Sequence, residues 1–248
     1  MSANALTSGL SDTDLAAVLA VQRLASEVVA PLAKDTDAHA AFPWTQIRAL
    51  AEIGVLGMNL PVRWGGPGIS APAFAACVEA IAGACGSTAS AITAHFLATD
   101  AILIGGDDDL RTRYLPLAAT GGRLGAFALT EPRAGSNPAD MRCRATPNGG
   151  DYALQGVKHF ISNGGVADFI VVFAVTDPDA GHRGISAFVV DRATPVWSPA
   201  APSAPWVSRA DIFSSWRSIA AWRRVSGSSP RGAGSAPPCR YSTTAASR

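Results

Sequence analysis

Charge is scarce in this chain. Asp, Glu, Lys and Arg make up 16% of its 248 residues and the formal net charge is +1, against roughly a quarter charged in a typical soluble domain. Such a chain carries neither the basic footprint of a nucleic-acid binder nor an acidic tail. Cysteine is also sparse. Cys77, Cys85, Cys143 and Cys239 form no C-x-x-C pair, so free thiols in a reducing cytoplasm are expected rather than a disulfide framework. The four histidines, His39, His95, His159 and His182, lack metal-ligand spacing, and no metal site is expected. There is no G-x-G-x-x-G, no Walker loop, no G-x-S-x-G elbow and no H-E-x-x-H. Residues 1–10 contain no basic residue and no long apolar core, unlike a signal peptide. The most apolar run, Phe169 to Val175, is too short to cross a bilayer. A cytoplasmic protein is expected, with neither a membrane nor a nucleic acid as partner.

What is present divides into three stretches. Ser11-Asp12-Thr13-Asp14 opens a helix with a side-chain cap and acids at its positive end. Its apolar stripe runs from Leu15 to Val29 and is expected to stop near Pro31. Further helices are expected from Pro43 to before Gly54, over 71–84 and 87–104, and from Asp107. The pattern changes after Gly121-Gly122. Leu124 to Leu129, Tyr152 to Val157, Phe169 to Val175 and Ile185 to Val190 are short aliphatic and aromatic runs separated by turn residues, as strands are. The expected fold is therefore α+β. An N-terminal all-α helical domain over 1–120 precedes a β-sheet or barrel domain over 121–196. Residues 201–248 carry seven arginines, no lysine and one acid, Asp211, among eleven serines and nine alanines. The stretch 197–248 sustains neither helical nor strand periodicity and reads as irregular, with a composition leaning toward disorder.

Two passages suggest chemistry. Ala126-Phe127-Ala128-Leu129-Thr130-Glu131-Pro132-Arg133-Ala134-Gly135-Ser136-Asn137 is a strand entering a tight turn. Such a corner is an ordinary structural element, and it is also a loop able to hydrogen-bond the heteroatom edge of a flat ring. Gly156-Val157-Lys158-His159-Phe160-Ile161-Ser162-Asn163-Gly164-Gly165 follows at the spacing of a β-meander. Phe160 and Ser162 lie two apart and share a face in an extended strand. They serve either as a core aromatic and a turn cap, or as an aromatic surface and a hydroxyl for one ligand.

Together the passages resemble the acyl-CoA dehydrogenase family. The sequence A-L-T-E-P-R-A-G-S-N is similar to that family's T-E-P-x-A-G-S-D signature, and K-H-F-I-S-N-G-G to its K-x-W-I-T-N-G companion. Leu60-Pro61 with Gly65-Gly66-Pro67-Gly68, and Gly184 to Val190, support the resemblance over about residues 10–195. The resemblance implies FAD as cofactor, an acyl-CoA thioester desaturated at Cα–Cβ, electron-transfer flavoprotein as electron acceptor, and homo-oligomers assembled through a C-terminal helical bundle. By resemblance Phe127, Leu129, Thr130, Phe160 and Ser162 bind the flavin, with Phe160 standing where the family has Trp. Gly135 and Ser136 face the substrate or a phosphate, and Asn137 replaces the family's Asp.

The family's α-proton base is a glutamate in that C-terminal bundle. Here Glu131 is the last glutamate and Asp211 the only acid after Asp191, so no catalytic residue is assigned. The tail resembles a GC-rich coding sequence read out of frame, with the frame expected to change near residue 195. A β-domain ending there is expected to leave an unpaired sheet edge. Three readings follow: a truncated dehydrogenase, a non-catalytic remnant of one, or a flavin-dependent oxidase or monooxygenase relative.

Overall fold

The computed structural model describes residues 9–148 and 151–193, together with the backbone of 214–225. The first helix, α1 (Asp12–Leu24), begins where the Ser11 hydroxyl accepts the Asp14 N–H at 3.1 Å. It does not stop at Pro31. A π-helical turn over Ala25–Val29 leads directly into α2 (Ala30–Ala38). Proline inside an α-helix removes a donor and crowds the carbonyl four residues earlier. The wider turn, closed by the Ala30 N–H on the Ala25 carbonyl, accommodates it with the helix unbroken.

The remaining helices match the sequence closely. They are α3 (Trp44–Glu52), α4 (Ala71–Ala84), α5 (Gly86–Gly105) and α6 (Asp108–Ala119). Asp14 also accepts the Ser70 N–H at 2.8 Å, tying the start of α1 to the cap of α4. Eleven residues of α5 are buried, and the exposed or half-buried Ser90, Thr93, Leu97, Ala101 and Ile104 fall in one stripe, the pattern of a central helix left open along one side. By length and composition α5 and the continuous helix Asp12–Ala38 are apolar enough to cross a membrane, and more than half of α5 is buried inside the protein. Val18, Val21, Leu50, Ile81, Ile92 and Phe96 form the core of the helical unit.

Six strands follow: β1 (Gly125–Ala128), β2 (Arg144–Asn148), β3 (Asp151–Ile161), β4 (Phe169–Val175), β5 (Ile185–Asp191) and β6 (Ser214–Val225). Their order is β1-β4-β2-β3-β6-β5, and β4 also pairs with β5, so five strands close on one another with β1 alongside β4. The expected meander is not formed. β1 runs parallel to β4, and β3 pairs with β2 and β6. β2 escaped the sequence reading because its side chains are largely exposed and its pairing depends on the hairpin with β3.

The stretch 214–225, read as irregular, is a strand antiparallel to both β3 and β5. A ladder needs backbone donors and acceptors rather than side-chain periodicity. Three register shifts against β3 break any period of two. β6 therefore occupies the edge that the sequence reading left open. The rest of 197–248 lies outside the described residues.

The two units meet along α5, α6, β1, β4 and β5 through Ala98, Ile102, Tyr114, Leu115, Phe169 and Val171. A methyl group on Gly125 would lie 2.7 Å from the Phe169 ring and 2.9 Å from the Ala98 Cβ, so glycine permits this approach. At the rim Asp191 accepts the Tyr114 hydroxyl at 2.8 Å and pairs with Arg113 and Arg123.

Candidate functional site

β1 ends at Ala128 and the chain turns through Leu129–Ala134, where Glu131 and Ala134 bond to each other through their backbones. This turn is held from β3. Lys158, with no exposed surface, donates from Nζ to the Leu129 carbonyl and to Glu131 Oε1, each at 2.9 Å. The next residue, His159, donates its N–H to the Thr130 carbonyl at 2.9 Å. Glu131 in turn accepts the N–H groups of Arg142 at 2.7 Å and Cys143 at 2.9 Å. Burial pulls the Lys158 ammonium below its ordinary range, while Cys143 and Glu131 act in the opposite direction. Burial likewise pushes the neighbouring Cys143 thiol up to about 11.

The carbonyls of Leu129 and Thr130 are thus satisfied within the protein. Among the described residues, no backbone bond engages the N–H of either residue. These are two successive donors available to an acceptor outside the fold.

The second passage ends beside this turn. Phe160 is 62% exposed and holds φ of +56°, in the left-handed region. That conformation costs a non-glycine residue on the order of 1 kcal/mol. It means that Phe160 and Ser162 are not two positions of one extended strand, although Phe160 is exposed, Ser162 half-buried and the intervening Ile161 buried. The His159 and Phe160 rings meet edge to face at 6.0 Å.

Asn163, fully buried with φ of +63°, donates to the carbonyls of Ala91 on α5 and Gly125 on β1 at 2.8 and 3.0 Å. The Gly125 N–H donates to His95 Nδ1 at 2.9 Å. One residue of β1 is therefore gripped at both its backbone groups. His95 and Phe96 are buried in the core.

The other expected residues are more scattered. Gly135 and Ser136, just after the turn, are exposed, and a Cβ on Gly135 would meet nothing within 4 Å. Asn137 caps a short 3-10 turn (Pro138–Asp140) and donates to the Asp140 carboxylate at 3.0 Å. An aspartate there would face a like charge. Phe127 packs at a tilt of 57° against Phe173, ring centroids 5.0 Å apart, and lines a groove of about 520 Å³ with Leu97, Asp100 and Ile104. None of the other expected site residues lines that groove.

Sequence reasoning missed Lys158, Asn163, His95 and the bracing role of Glu131. A signal was available for Lys158 alone, a lysine set between the apolar Val157 and Ile161 in the second passage.

The arrangement offers two free backbone donors, an exposed aromatic face, a half-buried hydroxyl and an open glycine. These fit the polar edge and flat face of a fused heteroaromatic ring.

A helical unit packed against a β-unit that presents such a turn defines the class, and comparison with known proteins defines the family. The family model described as acyl-CoA dehydrogenase, N-terminal domain, matches residues 11–122, and that for the acyl-CoA dehydrogenase middle domain matches 126–212. The chain belongs to the acyl-CoA dehydrogenase family. The middle-domain match runs past residue 195, beyond the span its motifs suggested.

An acyl-CoA dehydrogenase of Bacillus subtilis is 36% identical over 176 residues, covering 71% of this chain and 46% of the relative. The structure of butyryl-CoA dehydrogenase from Megasphaera elsdenii aligns with a TM-score of 0.82 at 26% identity, covering 89% of this chain and 60% of that one. A glutaryl-CoA dehydrogenase from Mycobacterium smegmatis in complex with FADH2 aligns with a TM-score of 0.78 at 28% identity, covering 88% and 55%. The chain spans about half the length of the curated relatives it matches.

Proposed function

We propose that this chain binds FAD between the Leu129–Thr130 turn and the Phe160–Ser162 segment, and that the flavin serves the α,β-desaturation of an acyl-CoA thioester. The observation that carries the reading is the pair of free N–H groups at Leu129 and Thr130 beside an exposed, strained aromatic residue. When bound, FAD supplies a two-electron acceptor for the hydrogen leaving Cβ. The chain's residues supply the rest of this half-site. Leu129 and Thr130 donate to the ring's pyrimidine edge, Ser162 places a hydroxyl near its central nitrogen, and Phe160 covers one face and excludes water. Donors aimed where negative charge arrives stabilise the reduced ring. Gly135 and Ser136 offer an open, polar stretch to the phosphates or the thioester arm. Electron-transfer flavoprotein is the acceptor that family membership supports. The buried free thiols of Cys77, Cys85 and Cys143 support a reducing cytoplasmic setting.

No residue of this chain is assigned as the base for the α-proton, so flavin binding and dehydrogenation separate experimentally. Purified protein is reconstituted with FAD and mixed anaerobically with butyryl-CoA. Bound flavin that bleaches establishes dehydrogenation, and bound flavin that stays oxidised establishes the half-site alone. Turnover only with oxygen identifies an oxidase or monooxygenase. Folded protein that takes up no flavin refutes the proposal. The family match to residue 212 runs past the frame change expected near 195, and 214–225 pairs as β6. For the residues after β6 the arginine- and serine-rich composition supports out-of-frame translation. A family-like C-terminal segment in another reading frame of the gene confirms it, and its absence overturns it.

A further inference from the structure

The Glu131–Lys158 pair lies beneath the turn, outside the set of residues assigned to the flavin, and the inference drawn from it rests on the FAD reading above. Both side chains are buried, and their separation is 2.9 Å. Removing two charges from water is costly, and apolar replacements of such pairs are commonly no less stable. Stability alone is therefore a poor reason to place an ammonium here.

Its second partner supplies a better one. Lys158 Nζ also donates to the Leu129 carbonyl, while the His159 N–H holds the Thr130 carbonyl. A trans peptide is planar, with its C=O and the following N–H pointing in opposite directions. Drawing the Leu129 carbonyl toward Lys158 consequently turns the Thr130 N–H away from β3. Drawing the Thr130 carbonyl toward β3 turns the Glu131 N–H away from it, where it bonds to the Ala134 carbonyl at 3.0 Å. Glu131 completes the brace. Its carboxylate is fixed by the Arg142 and Cys143 N–H groups and holds the ammonium in place.

We propose that Lys158 is a positioning residue for the flavin: its grip on the Leu129 carbonyl sets the plane of the 129–130 peptide and aims the Thr130 N–H at the ring's heteroatom edge. Glu131, through its brace, serves the same end. Neither residue touches the ring. The two sequence motifs thus work as one unit, the second supplying both an aromatic face and the lysine that orients the first.

The test compares the full chain with Lys158→Met, Glu131→Gln and the double variant. FAD affinity is read by flavin fluorescence well below the melting transition, and apo-protein melting is measured alongside. Lys158→Met is expected to melt earlier and to bind FAD roughly tenfold more weakly, the scale of one lost charge-assisted bond. The double variant leaves no unpaired buried charge, so its melting temperature recovers toward that of the parent. Its FAD affinity stays depressed because the Leu129 carbonyl is still released. Affinity that recovers together with melting, or Lys158→Met that binds like the parent, overturns the proposal. A folded parent that binds no FAD defeats the FAD reading instead, and the orientation is then judged by NMR of the Thr130 amide. Its shift and exchange rate are expected to change in Lys158→Met, and an unchanged amide overturns the proposal.

Discussion

His95 makes the fold sensitive to mild acid. Its Nδ1 accepts the Gly125 N–H, which places the proton on Nε2, and among the described residues Nε2 finds no hydrogen-bond partner. Burial holds the imidazole down to about 4 from an ordinary value of 6.5, and the nearby carbonyls of Leu56 and Ala118 offset only part of that. A base whose folded value lies below its unfolded value stabilises the fold fully above the unfolded value. That contribution is lost as pH falls from 6.5 toward 4. Lowering the pH from 7 to 5, where most carboxylates remain ionised, therefore removes about 2 kcal/mol. For a chain of this size that is a drop of roughly 4–8 °C in melting temperature. His95→Asn keeps an acceptor for Gly125 without a titrating ring. Urea unfolding of both proteins at pH 7 and pH 5 isolates the effect, because every other titrating group is common to the pair. The parent is expected to lose about 2 kcal/mol more than the variant. An equal loss in the two proteins refutes the account.

Three further outcomes are expected. Gly125→Ala forces a methyl group to within 2.7 Å of Phe169, and urea unfolding is expected to show a cost of about 1–3 kcal/mol. At Asn163, where φ is +63° and two buried carbonyls depend on the amide, both Asn163→Gly and Asn163→Ala lose about 2 kcal/mol for the unmade bonds. Asn163→Ala loses roughly 1 kcal/mol more for backbone strain, as paired thermal melts will show. Phe160→Gly relieves the left-handed backbone at +56°, so melting temperature holds or rises while FAD affinity, measured by titration, falls several-fold. Such a trade is expected where strain serves a site.

Much of the fold was legible locally. Ser11, Ser70 and Asp107 cap helices that begin where those residues place them, because a cap is an interaction between neighbours in sequence. The strands at 169–175 and 185–191 are apolar enough to announce themselves. Pro31 misled because the π turn that absorbs it depends on packing rather than on a residue preference. β2 and β6 were invisible because their pairing is long-range and their side chains carry little pattern. Of the site, the two motifs and the flavin were read by likeness to a family. The clamp of Lys158, Glu131, Asn163 and His95 was not, since its side-chain bonds join residues 11 to 72 positions apart.

By itself the sequence determined the class of each half, the family, and the two short passages proposed to hold a ring, because helix caps, strand composition and motif order are properties of neighbouring residues. Tertiary structure alone decided that those passages are bonded to each other. A buried ammonium, the two carbonyls of the turn and an asparagine that links α5 to β1 come from segments far apart in the chain, and only folding brings each to its hydrogen-bond partner.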